Sequence, residues 1–162
     1  MMSAKNISDQ DIMNWMSHTE TLEKGLRSLM NKYQEKLYWH VRRMVLNHDD
    51  ADDILQNIFI KVYKNISQFE QKSSLFTWLY RIATNETLTF IEKNKKWKVD
   101  SLDFTTEHPA ITNLRTDEFF DGDQVSLNLE AAILTLPTKQ RQVFKLRYYD
   151  ELSYQDLSEI LD

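Results

Sequence analysis

Two glycines and two prolines among 162 residues leave this chain few points at which a helix can be broken. In a helix interior glycine costs about 1 kcal/mol and proline about 3 kcal/mol relative to alanine, so a sequence almost free of both reads as predominantly helical. The apolar spacing agrees: residues 20 to 45 set Leu22, Leu26, Leu29, Met30, Leu37, Val41 and Val45 along one stripe, and residues 50 to 66 do the same with Ala51, Ile54, Leu55, Ile58, Val62 and Ile66. Ser8 and Thr19 stand where N-caps are expected, and Asp49 or Asp50 suits the start of the following helix, where an acid also meets the positive end of the helix dipole. The polar stretch SQFEQKS reads as a loop, and a long helix is expected over residues 74 to 97 with Phe76, Leu79, Ala83, Thr87 and Phe90 facing inward.

Between residues 98 and 124 the periodicity fades while Pro109 and Gly122 appear, which marks a linker. A second helical unit begins near Val125. Leu127, Ala131 and Leu134 keep helical spacing, Pro137 suits a first helical turn, and Val143, Phe144, Leu146 and Tyr148 supply a further apolar stripe. Ser153 and Asp156 hold the positions of a capping box ahead of Leu157, Ile160 and Leu161. The expected architecture is all-α: two small helical domains, residues 1 to 98 and 125 to 162, joined by a flexible acidic linker over residues 99 to 124.

A 41% apolar fraction is enough for a packed core, and the lack of cysteine excludes a disulfide framework and any thiolate metal site. No apolar run has the length of a signal-peptide core or a membrane span, so the reading is a soluble, cytoplasmic protein. His40, His48 and the acids near residue 50 lack the His-Glu-x-x-His spacing of a zinc hydrolase. Neither catalysis, a metal nor a cofactor is expected.

The net charge of −5 is unevenly spread. Residues 49 to 60 carry four acids and no base, residues 61 to 98 carry eight Lys or Arg against three Glu, and residues 99 to 124 carry seven acids and one Arg. Such segregation implies one surface for a protein and another for a polyanion. On the helix expected after residue 74, Trp78, Arg81, Asn85 and Lys96 project away from the inward stripe. A stacking ring, a guanidinium and an amide are what single-stranded nucleic acid requires, although Trp78 and Tyr80 could equally cover a neighbouring helix. The cluster Lys93, Lys95, Lys96 and Lys98 would hold phosphates, or simply complement a helix C-terminus.

The segments DADDILQNIFIKVYKNI, SSLFTWLYRIATNETLTFI and LPTKQRQVFKLRYYDELSYQDLSEIL, in that order, closely resemble a bacterial extracytoplasmic-function (ECF) sigma factor of the sigma-70 family. The resemblance implies a region 2 helical bundle that docks on the clamp helices of core RNA polymerase and reads the −10 promoter element. It further implies a region 4 helix-turn-helix that contacts the flap and reads the −35 element. Carried onto this chain, Asp53, Gln56, Asn57 and Ile60 would bind polymerase, while Phe69, Lys72 and Ser73 would lie in a loop holding a flipped base. Trp78, Tyr80, Arg81 and Asn85, in the pattern WLYRIATN, would read the −10 nontemplate strand, with Lys93, Lys95 and Lys96 on its phosphates. The function implied is transcription initiation by binding rather than by covalent chemistry, and the resemblance leaves room for an anti-sigma partner. The alternative is a helical interaction protein or sigma-like decoy that binds polymerase without promoter DNA. One departure stands out: the family continues past a segment like LSYQDLSEIL into a recognition helix, so region 4 is expected to be incomplete here, with Leu157, Ile160 and Leu161 lacking their usual cover.

Overall fold

The structure, a computed structural model, describes residues 7–45, 47–94, 112 and 123–161. Among these the order is α1 (Asp9–Met16), a 3-10 turn (Thr19–Thr21), α2 (Leu22–Val45), α3 (His48–Asn65), a second 3-10 turn (Ile66–Gln68), α4 (Leu75–Lys93), α5 (Gln124–Leu134), α6 (Thr138–Tyr148) and α7 (Tyr154–Leu161). The expected two helical units are present. Most of the linker lies outside the described residues, as do Lys95, Lys96 and Lys98.

Local chemistry explains where the helices begin. The Ser8 hydroxyl accepts from the Asp11 amide at 3.1 Å, Ser74 from the Thr77 amide at 3.0 Å, and the Asp123 carboxylate from the Ser126 amide at 2.9 Å. These bonds satisfy amides that no preceding turn can reach. Ser153 and Asp156 form the expected reciprocal pair, with the Asp156 amide 3.1 Å from the Ser153 hydroxyl and the Ser153 amide 3.2 Å from the Asp156 carboxylate. Two expected caps are corrected. Thr19 opens only a 3-10 turn, and its neighbour Thr21 turns back to donate to the Trp15 carbonyl. Asn47, rather than Asp49 or Asp50, caps α3 by accepting from the Asp50 amide, which leaves the two acids in the first turn. Pro137 is likewise the residue before α6 and not within its first turn. Helix α4 ends at Lys93, where the Asn94 amide still bonds the Phe90 carbonyl.

The apolar stripes of the first unit meet as the spacing requires. Leu29, Leu37, Val41 and Val45 of α2, Ala51, Ile54, Ile58 and Val62 of α3, and Leu75, Leu79 and Ala83 of α4 are buried in one cluster. Fully burying a side chain of this size contributes about 1.5–3 kcal/mol, so this cluster sets the mutual positions of α2, α3 and α4.

The second unit is built differently from its expected stripe. Of Val143, Phe144, Leu146 and Tyr148, only Leu146 is buried; the inward side of α6 is Arg141, Gln142, Lys145 and Leu146. Charged groups can sit there because partners meet them: Lys145 Nζ donates to the Arg43 carbonyl and, at 3.1 Å, to Glu130, while Arg141 donates to the Leu134 carbonyl at 3.0 Å. Leu157 and Ile160, expected to lack cover, are buried instead, because α7 packs against α4 and α6 touches α2. Leu146, Leu152, Leu157 and Ile160 thereby join the same cluster as the first unit.

Candidate nucleic-acid and polymerase interface

Helix α3 turns Ala51, Ile54, Ile58 and Val62 inward and so must turn residues between them outward. Asp53, Gln56, Asn57 and Ile60 are all exposed, and Ile60 is 50% exposed. Tyr63, three residues further on and 53% exposed, extends the same patch. The sequence reading missed it, although the i, i+3 spacing from Ile60 was visible. Exposed Ile and Tyr ringed by polar groups have the composition of a small protein-binding centre. Lys61, beside this patch, is engaged by Glu86 of α4.

The loop between α3 and α4 begins with the 3-10 turn and carries Gln71 at φ 56°, a left-handed conformation unusual for a residue with a Cβ. Within it Phe69 is half-buried and its ring lies 4.9 Å from that of Trp78, so the loop is anchored to α4 by an aromatic pair. Lys72 is exposed and paired with Glu70, and Ser73 is partly exposed.

On α4 the five candidates have different environments. Asn85 is exposed, with its carboxamide free to present both donors and an acceptor. Trp78 is half-buried against Phe69 and the core. Tyr80 is 4% exposed, its ring 4.4 Å from Phe76 and 5.0 Å from His40, so it is a core residue, with burial pushing its hydroxyl well above its ordinary range. Arg81 is partly exposed, but its guanidinium donates to the carbonyl of Glu159 on α7, with Nε at 2.9 Å. Lys93 is exposed at the end of α4.

The seam between the two units is polar at its rim. Asp150, after α6, accepts from Arg43 at 3.0 Å and shares a 2.8 Å hydrogen bond with His40 Nδ1, whose Nε2 lies 3.1 Å from the Thr84 hydroxyl. His40 is therefore a fully partnered core histidine. Nearby, burial lowers the Lys145 pKa while Glu130 opposes that shift, and burial raises that of Tyr149, whose hydroxyl donates to Glu130 at 2.6 Å. Among the described residues no group of three or more His, Cys, Asp or Glu could hold a metal ion, and no helix is long and apolar enough to cross a membrane.

Comparison with known proteins gives two family matches: Sigma-70 region 2 over residues 29–97 and Sigma-70, region 4 over residues 126–162. The first contains α3, the loop and α4; the second contains α6 and α7. The chain is 37% identical over 147 residues to the ECF RNA polymerase sigma factor SigW of Bacillus subtilis, covering 86% of this chain and 79% of the relative. It is 29% identical over 166 residues to the ECF RNA polymerase sigma-E factor of Haemophilus influenzae, covering 98% and 86% respectively. It is also 30% identical over 149 residues to the RNA polymerase sigma-H factor of Pseudomonas aeruginosa, covering 82% and 72%.

Proposed function

This chain belongs to the ECF sigma factors of the sigma-70 family and is a sigma factor for transcription initiation; from that premise we propose that α3 docks on core RNA polymerase while the following loop and α4 capture the nontemplate strand of the −10 element. The observation that carries this reading is the division of exposed groups between two helices. Asp53, Gln56, Asn57 and Ile60 form an amphiphilic patch on α3, and Asn85 stands open on α4. A protein-binding centre needs the first, and a base edge needs the second.

In this reading Phe69 and Trp78 form the aromatic wall beside which a flipped base is held, and Lys72 and Ser73 lie at its mouth. Capturing an unpaired base offsets an unstacking cost of roughly a few kcal/mol, so melting follows from binding alone. Arg81 and Lys93, with Lys95 and Lys96 beyond the described residues, neutralise phosphates and fix register without reading sequence. Tyr80 acts from within the core, holding α4 against His40 and Phe76. Residues 1 to 98 serve as region 2 and residues 125 to 162 as region 4. On the latter, an exposed groove of about 430 Å³, lined by Leu136, Val143, Phe144 and Tyr148 with Lys139 and Arg147 at its edge, is the surface offered to the polymerase flap.

One experiment tests the division of labour. Replacing Asp53, Gln56 and Ile60 together should weaken binding to core polymerase by tenfold or more, because a central interface contact often carries about 2 kcal/mol. Asn85→Ala should leave that affinity intact and flatten discrimination among nontemplate-strand sequences in the holoenzyme. Unchanged polymerase affinity in the folded triple variant, or equal loss on all sequences for Asn85→Ala, would show that the faces are wrongly assigned.

A further inference from the structure

Three glutamates interrupt the basic segment 61 to 98, and one of them, Glu86, directly follows the base-reading candidate Asn85 on α4. A carboxylate in that place repels the phosphates that its neighbours have to approach. The structure gives it a counter-ion from another helix: Lys61 Nζ of α3 donates to the Glu86 carboxylate. We propose that Lys61 is a positioning residue for promoter capture, which holds and neutralises Glu86 beside Asn85 and does not itself touch DNA. The proposal rests on the assignment of α4 to promoter DNA.

The two partners are unequally placed. The Glu86 side chain is 15% exposed, held where α4 packs on α3, whereas that of Lys61 is 52% exposed. A carboxylate covered in this way is screened much less by water and salt than an open surface acid, so its charge acts strongly on whatever lies beside it. Taking Lys61 away would leave that charge directed at the nearest phosphate. The other two glutamates differ: Glu70 pairs with Lys72 where both side chains are largely exposed, and an open pair of this kind is worth little. Glu92 is exposed seven residues after Asn85, about 10 Å further along the helix and next to Lys93.

The basic groups already on α4 do not do the work of Lys61. Arg81 spends its guanidinium hydrogen bonds on the Glu159 carbonyl, and Lys93 stands seven residues beyond Glu86, about 10 Å away along the axis and so about a Debye length off. Lys61 instead follows Ile60 on α3, at the edge of the patch assigned to polymerase. One cation on the polymerase-facing helix thereby sets the charge of the promoter-facing one, and the sequence offers no local sign of it because the partners are 25 residues apart.

The test uses holoenzyme assembled from the full chain and saturating core RNA polymerase. Affinity for a labelled, short, mixed-sequence single-stranded DNA, in excess of that of core alone, is measured across a salt series. Lys61→Gln should weaken binding about fivefold at low salt and much less at high salt, where screening removes the repulsion. Adding Glu86→Gln should return the affinity to within about twofold of wild type, because the uncompensated carboxylate is gone. Lys61→Arg keeps the charge and should bind as wild type does. If Lys61→Gln loses helicity, Lys61→Met, which keeps the aliphatic stem, takes its place. A loss that Glu86→Gln fails to restore overturns the proposal, since Lys61 then meets DNA itself. A loss that is equal at every salt concentration overturns it too, because packing and not charge is then the cause. No loss at any salt concentration also overturns it, and there the Asn85→Ala holoenzyme assay separates the causes. If discrimination depends on Asn85, only the role of Lys61 falls; if it does not, the α4 assignment falls as well.

Discussion

Lys145 is 2% exposed and its ammonium has two partners, the Arg43 carbonyl and Glu130. Removing one member of such a buried pair leaves the other charged and without compensation, whereas replacing both with neutral groups of similar shape costs far less. Lys145→Ala is therefore expected to destabilise the protein by about 3 kcal/mol or more, and Lys145→Met combined with Glu130→Gln to recover most of that loss. Urea unfolding of the three proteins checks this; equal losses for the single and double variants would mean that the pair is not the source. The same residue shows where single-sequence pattern reading stops. A lysine between Phe144 and Leu146 looks like the solvent side of α6, because the carbonyl and carboxylate that receive it come from α2 and α5, far away in sequence. Tyr80 is the opposite case. Four residues after Phe76 it falls on the inward side of α4, and the ring contact at 4.4 Å was legible from spacing, but the family pattern drew it to the DNA side.

At the scale of elements, α2, α3 and the start of α4 were readable because their stripes pack within one local bundle, and serine caps announce three of the helix starts. Helix α7 was not readable in this way, since the surface that covers Leu157 and Ile160 belongs to α4 and no local pattern points to it. The crossing of α1 and α2 makes a sharper test of packing against propensity. Gly25 lies in the first part of α2, and a Cβ there would stand 2.5 Å from Met16 Cγ and 2.9 Å from the Met16 backbone nitrogen. Alanine should stabilise a helix interior by about 1 kcal/mol over glycine. The side chain of Met16 can move aside, but its backbone cannot, and overpacking of this kind costs roughly 1–3 kcal/mol. Gly25→Ala is expected to lower the urea midpoint through loss of the α1–α2 contact; a raised midpoint would show that the helices separate without cost.

For the whole molecule, the buried hydroxyls set an alkaline limit. Burial raises the pKa values of Tyr33, Tyr80 and Tyr149 above their ordinary 10.0, so the folded chain keeps protons that the unfolded chain releases above about that pH. Their contribution is fully present below pH 10 and is lost above it. Lys145 acts in the other direction: its pKa is lowered from 10.5, so the unfolded chain holds the extra proton and stability rises with pH until that value is passed. Tyr38 is raised by burial as well, and the burial that lowers Arg42 and Arg141 acts on groups whose ordinary value is 12.5, so near pH 10 the tyrosines dominate and stability measured by urea unfolding should hold up to about pH 10 and then decline. Tyr149→Phe, which removes one of these hydroxyls, should make the decline shallower; a decline beginning well below pH 10 would point to other groups.

The proposed assignment of α3 to polymerase and α4 to promoter DNA is tested most directly by sequence-selective capture of single-stranded DNA. A pool of random nontemplate-strand oligonucleotides is incubated with core polymerase, with and without this protein, and the retained strands are sequenced. The protein should add enrichment of one shared −10-like motif that the core enzyme alone does not select. Retention of the same sequences with and without the protein, at equal polymerase occupancy, would contradict the account.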